Sequence, residues 1–399
     1  MTPEESIQRL IEAIRAAKIE PVRRTFLYRL GVGLVAGVVI LLPLVYVGSI
    51  GLLGYGIWWH ALNNTELLDL TSHRPGRGSL VAVLLYVAPF VVGPLAILFM
   101  LKPLFARTVE QGHRLSLRPQ VQPQLFEFVN AIADAVHAPR PSRIDIDGSI
   151  NASASYGNGV LSLFRTEFVL TLGVPLVAGV NLQQLAGILA HEFGHFGQGA
   201  GMRLSGLVRS INLWFFRVVY ERDVWDAYLI VLSEELDLRI GWVLWLTRLF
   251  VFLSRQVLWC LMMVSALLSG WFSRQLEFDA DLHEIRLAGS ENFEATCKRL
   301  LTLNFALMDF LHDPPPEDQV GNPIRSFVIR CDDIERDIQK HVKKYIRKSK
   351  TGWFDTHPAD KERIDHAREH DCPGVFRSQL PAEHVFRKFD GLCVRVMEN

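Results

Sequence analysis

The sequence predicts a mainly α integral membrane protein with four transmembrane helices and a cytoplasmic α+β domain carrying a small sheet. Three observations predict it: two successive apolar runs without a charged residue, basic residues gathered at their outer flanks, and strand-like segments placed between those runs and a later helical pattern. The composition agrees. Of 399 residues, 49% are hydrophobic and 21% charged, and the mean hydropathy is +0.18, which suggests that lipid solvates part of the chain. Forty-two basic residues balance forty-two acidic ones, so no overall charge draws the chain to nucleic acid, and none is expected as a partner. Richness in Leu, Val, Ile and Phe without net charge argues against a disordered chain. The five cysteines (Cys260, Cys297, Cys331, Cys372, Cys393) form no CxxC pair, which argues for a reducing compartment and against a disulfide framework.

Each element follows in order. Thr2-Pro3-Glu4-Glu5 offers an N-cap, a proline at the first helical position and an acidic residue at the third. Ile7, Leu10, Ile11 and Ile14 then share one helical face. Residues 1–24 therefore read as an amphipathic helix, lying on the membrane or docked on the soluble domain, and not as a cleavable signal. A first transmembrane hairpin is expected over 25–104. Its first run, Gly31 to Thr65, is uncharged, and the apolar core Gly31 to Trp59 of 29 residues would be about 44 Å long as one helix, against roughly 30 Å of hydrocarbon. It must tilt, protrude or break, with Pro43, Gly51 and Gly54 as the places to break. Gly78 to Leu101 is a second uncharged run, closed by Lys102. Lys18, Arg23, Arg24 and Arg29 precede the hairpin and Lys102, Arg107, Arg114 and Arg118 follow it, whereas the connecting loop carries only Arg74 and Arg77 beside Glu66 and Asp69. Basic flanks stay inside, so both ends and the following domain are expected in the cytoplasm.

That domain is expected in two parts, 105–203 and 273–372, separated by a second hairpin over 204–272 and followed by a tail over 373–399. Arg143 to Asp147 alternates as a strand and Phe168 to Leu172 is a β-branched or apolar run, so a small sheet is expected here. In the second hairpin, Gln256 to Ser273 is uncharged, and Leu204 to Tyr220 is apolar but contains Arg209 and Arg217. Arginines inside a span are costly unless they snorkel or pair, so long helices packed on the soluble domain are the alternative.

His191-Glu192-Phe193-Gly194-His195 is an HExxH motif on a segment with helical apolar spacing. Positions i and i+4 face the same way on a helix, so His191 and His195 can grip one Zn²⁺. Glu192 then stands beside the ion, placed to accept a proton from water. A third ligand decides such a site. In Ser273-Arg274-Gln275-Leu276-Glu277-Phe278-Asp279-Ala280-Asp281, one helix face presents Glu277 and Asp281. Glu277 would complete two histidines and a carboxylate with a fourth position open, and Asp281 would hold a ligand histidine through its other ring nitrogen. His283 and Glu284 are nearby alternatives. Taken alone, the acidic pair would read as a solvated helix end.

These motifs, with a hydrophobic hairpin between them, resemble the integral-membrane zinc metalloendopeptidases of the HtpX and type I CAAX prenyl protease kind, gluzincins with an HExxH…ExxxD site. Asn151-Ala152-Ser153-Ala154 resembles the family's Asn-Ala strand, and Thr356-His357-Pro358 through Glu362-Arg363-Ile364 resembles its late segment; the likeness covers about residues 100 to 370. It implies a gluzincin-type zinc protease domain in which His191, His195 and Glu277 bind zinc and Glu192 is the base. It further implies Asn151 on an edge strand that pairs with an extended substrate, and His357 and Arg363 as catalytic groups at the substrate backbone or the oxyanion. The bland readings are a turn residue at Asn151 and a helix start at His357. The implied partners are a peptide or protein substrate, membrane proteins among them, and the lipid bilayer; the implied location is a bacterial inner membrane. The sequence departs from the pattern in a loop of small and polar residues from Ser153 to Ser162. It departs again in Pro314-Pro315-Pro316, which opens a polar loop before a basic stretch from Lys340 to Lys350, and in the tail after Cys372. The function expected is zinc-dependent peptide-bond hydrolysis in the membrane, with quality control of membrane proteins as its setting. Processing of a lipidated C-terminus, a zinc-binding pseudo-protease and a membrane scaffold are the alternatives.

Overall fold

A computed structural model of the chain describes residues 3–17, 19–20, 26–66, 77–105, 114–155, 168–196, 200–221, 224–235, 238–312 and 322–398. Thr2, the flanking Lys18, Arg23, Arg24 and Arg107, the loop residues Asp69 and Arg74, the stretch from Tyr156 to Ser162 and the proline run Pro314 to Pro316 lie outside them. The chain divides into two compact units. One holds residues 1–32, 109–206 and 270–399; the other holds residues 33–108 and 207–269.

The second unit is almost wholly helical in its described residues. Helix α1 (Pro3–Ala16) belongs to the other unit, and α2 (Phe26–Asn63) supplies the first apolar helix here. Pro43 lies inside α2 without ending it, and Gly51 and Gly54 do not break it either. At 38 residues it is about 57 Å long, so it exceeds the hydrocarbon by protruding or tilting. Helix α3 (Arg77–Leu101) follows, with Pro89 and Pro94 inside it. Leu34, Leu41, Leu44, Leu52, Leu84 and Leu85 all lie exposed on these two helices, as lipid-facing side chains should. Among the described residues three helices are long and apolar enough to cross a membrane: these two and the long helix that carries Trp242–Ala288.

Four spans were expected, and Leu204 to Tyr220 is the expected segment that is not among these three. It forms α7 (Ala200–Tyr220), which follows the helix of the HExxH motif, α6 (Leu182–Gly194). Arg203, Arg209 and Arg217 interrupt its apolar character. Three arginines of this unit find partners: Arg217 pairs with Glu221 at 3.4 Å, Arg248 with Glu234 at 3.3 Å, and Arg255 with Asp226 of helix α8 (Val224–Glu235). Helix α9 (Leu238–Ala288) runs for 51 residues from this unit into the other. One continuous helix therefore carries both the last apolar run and the ExxxD carboxylates.

The first unit is the α+β part. A four-stranded sheet has the order β1-β2-β4-β3, from β1 (Leu115–Leu117), β2 (Arg143–Asp147), β3 (Ala152–Ser155) and β4 (Val169–Gly173). Strands β2 and β4, the two read from the sequence, pair in parallel with Ile144 opposite Leu170, while β3 runs antiparallel to β4 with Ala152 opposite Leu172. Their buried side chains Ile144, Ile146, Leu170 and Leu172 pack against α4 (Pro123–Ala135) and α6 through Leu125, Phe128, Ile132, Leu185 and Leu189. A short helix, α5 (Val174–Gly179), leads from β4 toward α6. Helix α1 docks on this core rather than lying free. Ile7, Ile11 and Ile14 are fully buried, Arg15 pairs with Glu127 of α4 at 3.1 Å, and each isoleucine contributes roughly 1.5–3 kcal/mol.

The tail after Cys372 is part of the same core. Val385, Phe386, Phe389, Leu392 and Cys393 are buried in it, the last three on or at the start of a short terminal helix (Phe389–Met397). Leu380 O accepts from Leu182 N at 2.7 Å and Val180 O accepts from Ala382 N at 3.0 Å, so the tail clasps the start of α6. Phe389→Ala should cost about 3–5 kcal/mol, the usual result of emptying a core aromatic site. Thermal melting should show a lower Tm; an unchanged Tm would separate the tail from the core.

Candidate metal centre

Helix α6 is started by its own sequence. Asn181 Oδ1 accepts from Gln184 N at 2.8 Å and Gln184 Oε1 accepts from Asn181 N at 3.1 Å, a reciprocal cap. Gln183 reaches the other way, donating to Ala288 O at 2.7 Å and accepting from Ser378 N at 3.0 Å. The helix is thereby tied to both α9 and the tail. Two glycines let α9 lie close against it. A methyl on Gly187 would meet Glu284 Oε1 at 3.0 Å, and one on Gly194 would meet the His283 ring at 2.8 Å. Seven residues apart, the two glycines share one face of α6. Small residues at that spacing are the sequence signal for a close helix pair, and apolar periodicity alone does not reveal it.

That close approach brings four predicted residues together. His191 Nε2 lies 3.5 Å from Glu277 Oε2, and His195 Nε2 lies 3.6 Å from Glu277 Oε1. Donors held 2.0–2.1 Å from a tetrahedral ion are about 3.3 Å apart, so the trio fits Zn²⁺ with little movement. Their ligand atoms all lie within 4.8 Å of one another. Asp281 Oδ1 lies 2.9 Å from His191 Nδ1, the nitrogen facing away from the trio, an ion-pair contact rather than an aligned hydrogen bond. Asp281 is itself fully buried and gripped by the fork of Arg363, with Nε to Oδ2 at 2.9 Å and Nη2 to Oδ1 at 2.6 Å. Arg363 comes from α12 (Asp360–His370), which packs on α10 (Ser290–His312). His357 reaches Glu277 Oε2 with Nδ1 at 3.0 Å and is otherwise largely exposed.

Glu192 is half-buried on α6 between the two histidines. Asn151 is exposed just before β3; its carbonyl accepts from Gly173 N at 2.8 Å, and β3 stands at the edge of the sheet in contact with α6. Glu284, named from the sequence as an alternative ligand, forms a second possible group with His191 and Asp281. Burial pushes its carboxyl up to about 7, which makes it a poor anionic ligand. The first trio also keeps His195 partly exposed, the open side a hydrolytic site needs.

The electrostatics of the trio are set by burial and by the charges its members place on one another. Burial would raise Glu277, but hydrogen bonds from His191 and His357 hold it well below the usual carboxylate range. Burial and the charge of His191 lower His195 to about 3, leaving it neutral and ready to ligate. Burial opposes the charged form of His191 too, yet Asp281 and Glu277 raise it well above the usual imidazole value. A raised value means the proton stays on as pH rises past neutrality, and metal must displace it. Zinc affinity should therefore climb by up to about tenfold per pH unit through neutrality, where that proton is still bound. Competition titrations with a chelator at several pH values would check it, and a flat profile would contradict it.

A histidine pair on one helix, completed by a carboxylate from a helix long and apolar enough to cross a membrane, defines the class of membrane metallopeptidases. Within that class, a profile of peptidase family M48 matches residues 119–371, more than half of the chain, and the chain belongs to that family. Members of the family are zinc metalloproteases. The chain is 26% identical to a "Protease HtpX homolog" of Bordetella petrii over 172 residues, 42% of this chain and 52% of the relative. It is 26% identical to one of Methylacidiphilum infernorum over 156 residues, 38% and 48% of the two chains. A third, from Bordetella pertussis, is 25% identical over 175 residues, 42% and 52%. The chain thus spans about half the length of the curated relatives it matches. No solved structure matches it significantly.

Proposed function

We propose that the chain is a membrane-embedded, zinc-dependent endopeptidase that acts in quality control of membrane proteins, with its catalytic unit on the cytoplasmic side of a bacterial inner membrane. The observation that carries the reading is the convergence of His191, His195 and Glu277 on one point, with Asp281 and Arg363 behind them. Family membership supports peptide-bond hydrolysis, and the basic flanks of the first two spans support the orientation. Helix α7 is the fourth crossing in this reading: its 21 residues reach about 31 Å, close to the hydrocarbon thickness.

When bound, the ion polarises a peptide carbonyl and brings the pKa of water toward about 7. The C–O bond forms as Glu192 takes the proton of the attacking water, and the C–N bond then breaks as Glu192 delivers that proton to the departing amine. The β3 edge, which follows Asn151, pairs with an extended substrate through main-chain hydrogen bonds in this reading. His357, exposed beside Glu277, would donate to the developing oxyanion in this reading. Asp281 orients His191, and Arg363 holds Asp281.

Metal analysis of wild type and Glu277→Ala, combined with a casein cleavage assay, tests the reading. Wild type should carry about one zinc per chain and cleave, and the variant should lose both, since a two-histidine site lacks the third ligand of a catalytic centre. Metal-free wild type under zinc-replete conditions would end the proposal.

A further inference from the structure

The segment between α11 (Pro323–Lys348) and α12 presents two large aromatic side chains to the outside. Trp353 is 83% exposed and Phe354 51%. Nothing about the segment is loose. Thr351 Oγ1 donates to Glu362 Oε2 at 2.7 Å and accepts from Ala359 N at 2.8 Å, and Gly352 N donates to Asp355 Oδ2 at 2.7 Å. A fixed turn that holds apolar rings in the open calls for a partner.

Its place along α9 indicates which one. Arg274 Nη1 donates to Asp355 O at 2.9 Å, and a methyl on Gly270 would lie 3.5 Å from Trp353 O and 3.6 Å from Asp355 O. Gly270 belongs to the uncharged run Gln256 to Ser273 of a helix long and apolar enough to span, and Arg274 is the first charge after it. The turn is therefore strapped to the helix about 6 Å before the apolar stretch ends, at 1.5 Å per residue. Trp271, on the same stretch, is 54% exposed. Exposed tryptophans at the end of a span mark the headgroup layer.

The flanking charge matches. Between Ile338 and Phe354 there are six basic residues (Lys340, Lys343, Lys344, Arg347, Lys348, Lys350) and no acidic one, and all six are exposed. Such a cluster beside a membrane span fits an anionic lipid surface.

We propose that Trp353 and Phe354 insert into the headgroup layer of the bilayer that α9 enters, held there by the basic end of α11 on anionic lipid. His357, which touches Glu277, lies four residues from Trp353 on the same turn. The bilayer surface would thus brace the turn that carries a candidate active-site histidine. The inference rests on α9 as a span and not on hydrolysis, so its test reads depth, not activity.

The experiment uses the full chain in vesicles of phosphatidylcholine alone or mixed with phosphatidylglycerol. A nitroxide is placed at Phe354→Cys after Cys260→Ser and Cys372→Ser, the other cysteines being buried. A label at the exposed Glu291→Cys serves as the aqueous reference. In mixed vesicles the 354 label should collide more with oxygen and less with an aqueous nickel chelate than the reference does. Replacing Lys343, Lys344, Arg347 and Lys348 by Gln should return it toward water, since each basic side chain at an anionic surface strengthens engagement by about fivefold. A 354 label as open to the chelate as the reference, with mixed lipid present, would overturn the proposal. So would a label shielded only when a peptide substrate is added, which would make the turn a substrate lip instead.

Discussion

Glu192→Gln protein is expected to keep its fold and its zinc yet lose peptide cleavage by about 10²–10⁴-fold, the weight of one positioned general base. The amide is nearly isosteric, and Glu192 is not among the three side chains whose donors converge. Nothing in the ligand geometry therefore changes. What disappears is basicity: an amide cannot accept the proton of attacking water or return it to the amine. The residue is half-buried on α6 and directly follows His191 in the chain, so it is not closed to water. Zinc stoichiometry and a casein assay on the same preparation check both halves. Zinc-replete Glu192→Gln that cleaves at the wild-type rate would remove the residue from that role.

Legibility followed the range of the interaction that builds each element. The first two spans were visible because lipid demands an unbroken apolar run, a purely local property. The candidate metal-binding trio was visible because i, i+4 spacing on a helix places two donors together, and only two helices had to meet to add the third. Strands β2 and β4 showed their buried runs, but their parallel pairing joins residues far apart in sequence, and β1, three residues long, carried too little pattern to see. The tail was opaque for a related reason. Phe389, Leu392 and Cys393 become core only because Leu380 and Ala382 bind the backbone that begins α6. Helix α7 was the hardest segment to read, because the arginines that interrupt its apolar run count against a span unless they pair, as Arg217 does with Glu221.

Arg363→Ala should be among the most destabilising substitutions, at about 3–5 kcal/mol, because it strips the partner from a buried charge. Asp281 is fully buried, and Arg363 grips both its oxygens. Burial alone would raise the Asp281 carboxyl; Arg363 and His191 together pull it below the usual range. A carboxylate held low contributes stability that is present above its unfolded value and lost as pH falls through the folded one. Removing Arg363 raises the folded value, so acid unfolding and acid loss of zinc should both move to higher pH. The same variant separates two roles for this residue. If Arg363 acts on the substrate's oxyanion, zinc stays bound while kcat falls. If it acts through Asp281 on His191, zinc affinity falls about 10–100-fold, the usual result of losing a ligand's supporting contact. Arg363→Lys should fall between wild type and alanine, since an ammonium keeps the charge but not the two-pronged grip. The bidentate geometry favours the second outcome, and a variant with native zinc affinity and native melting would refute it.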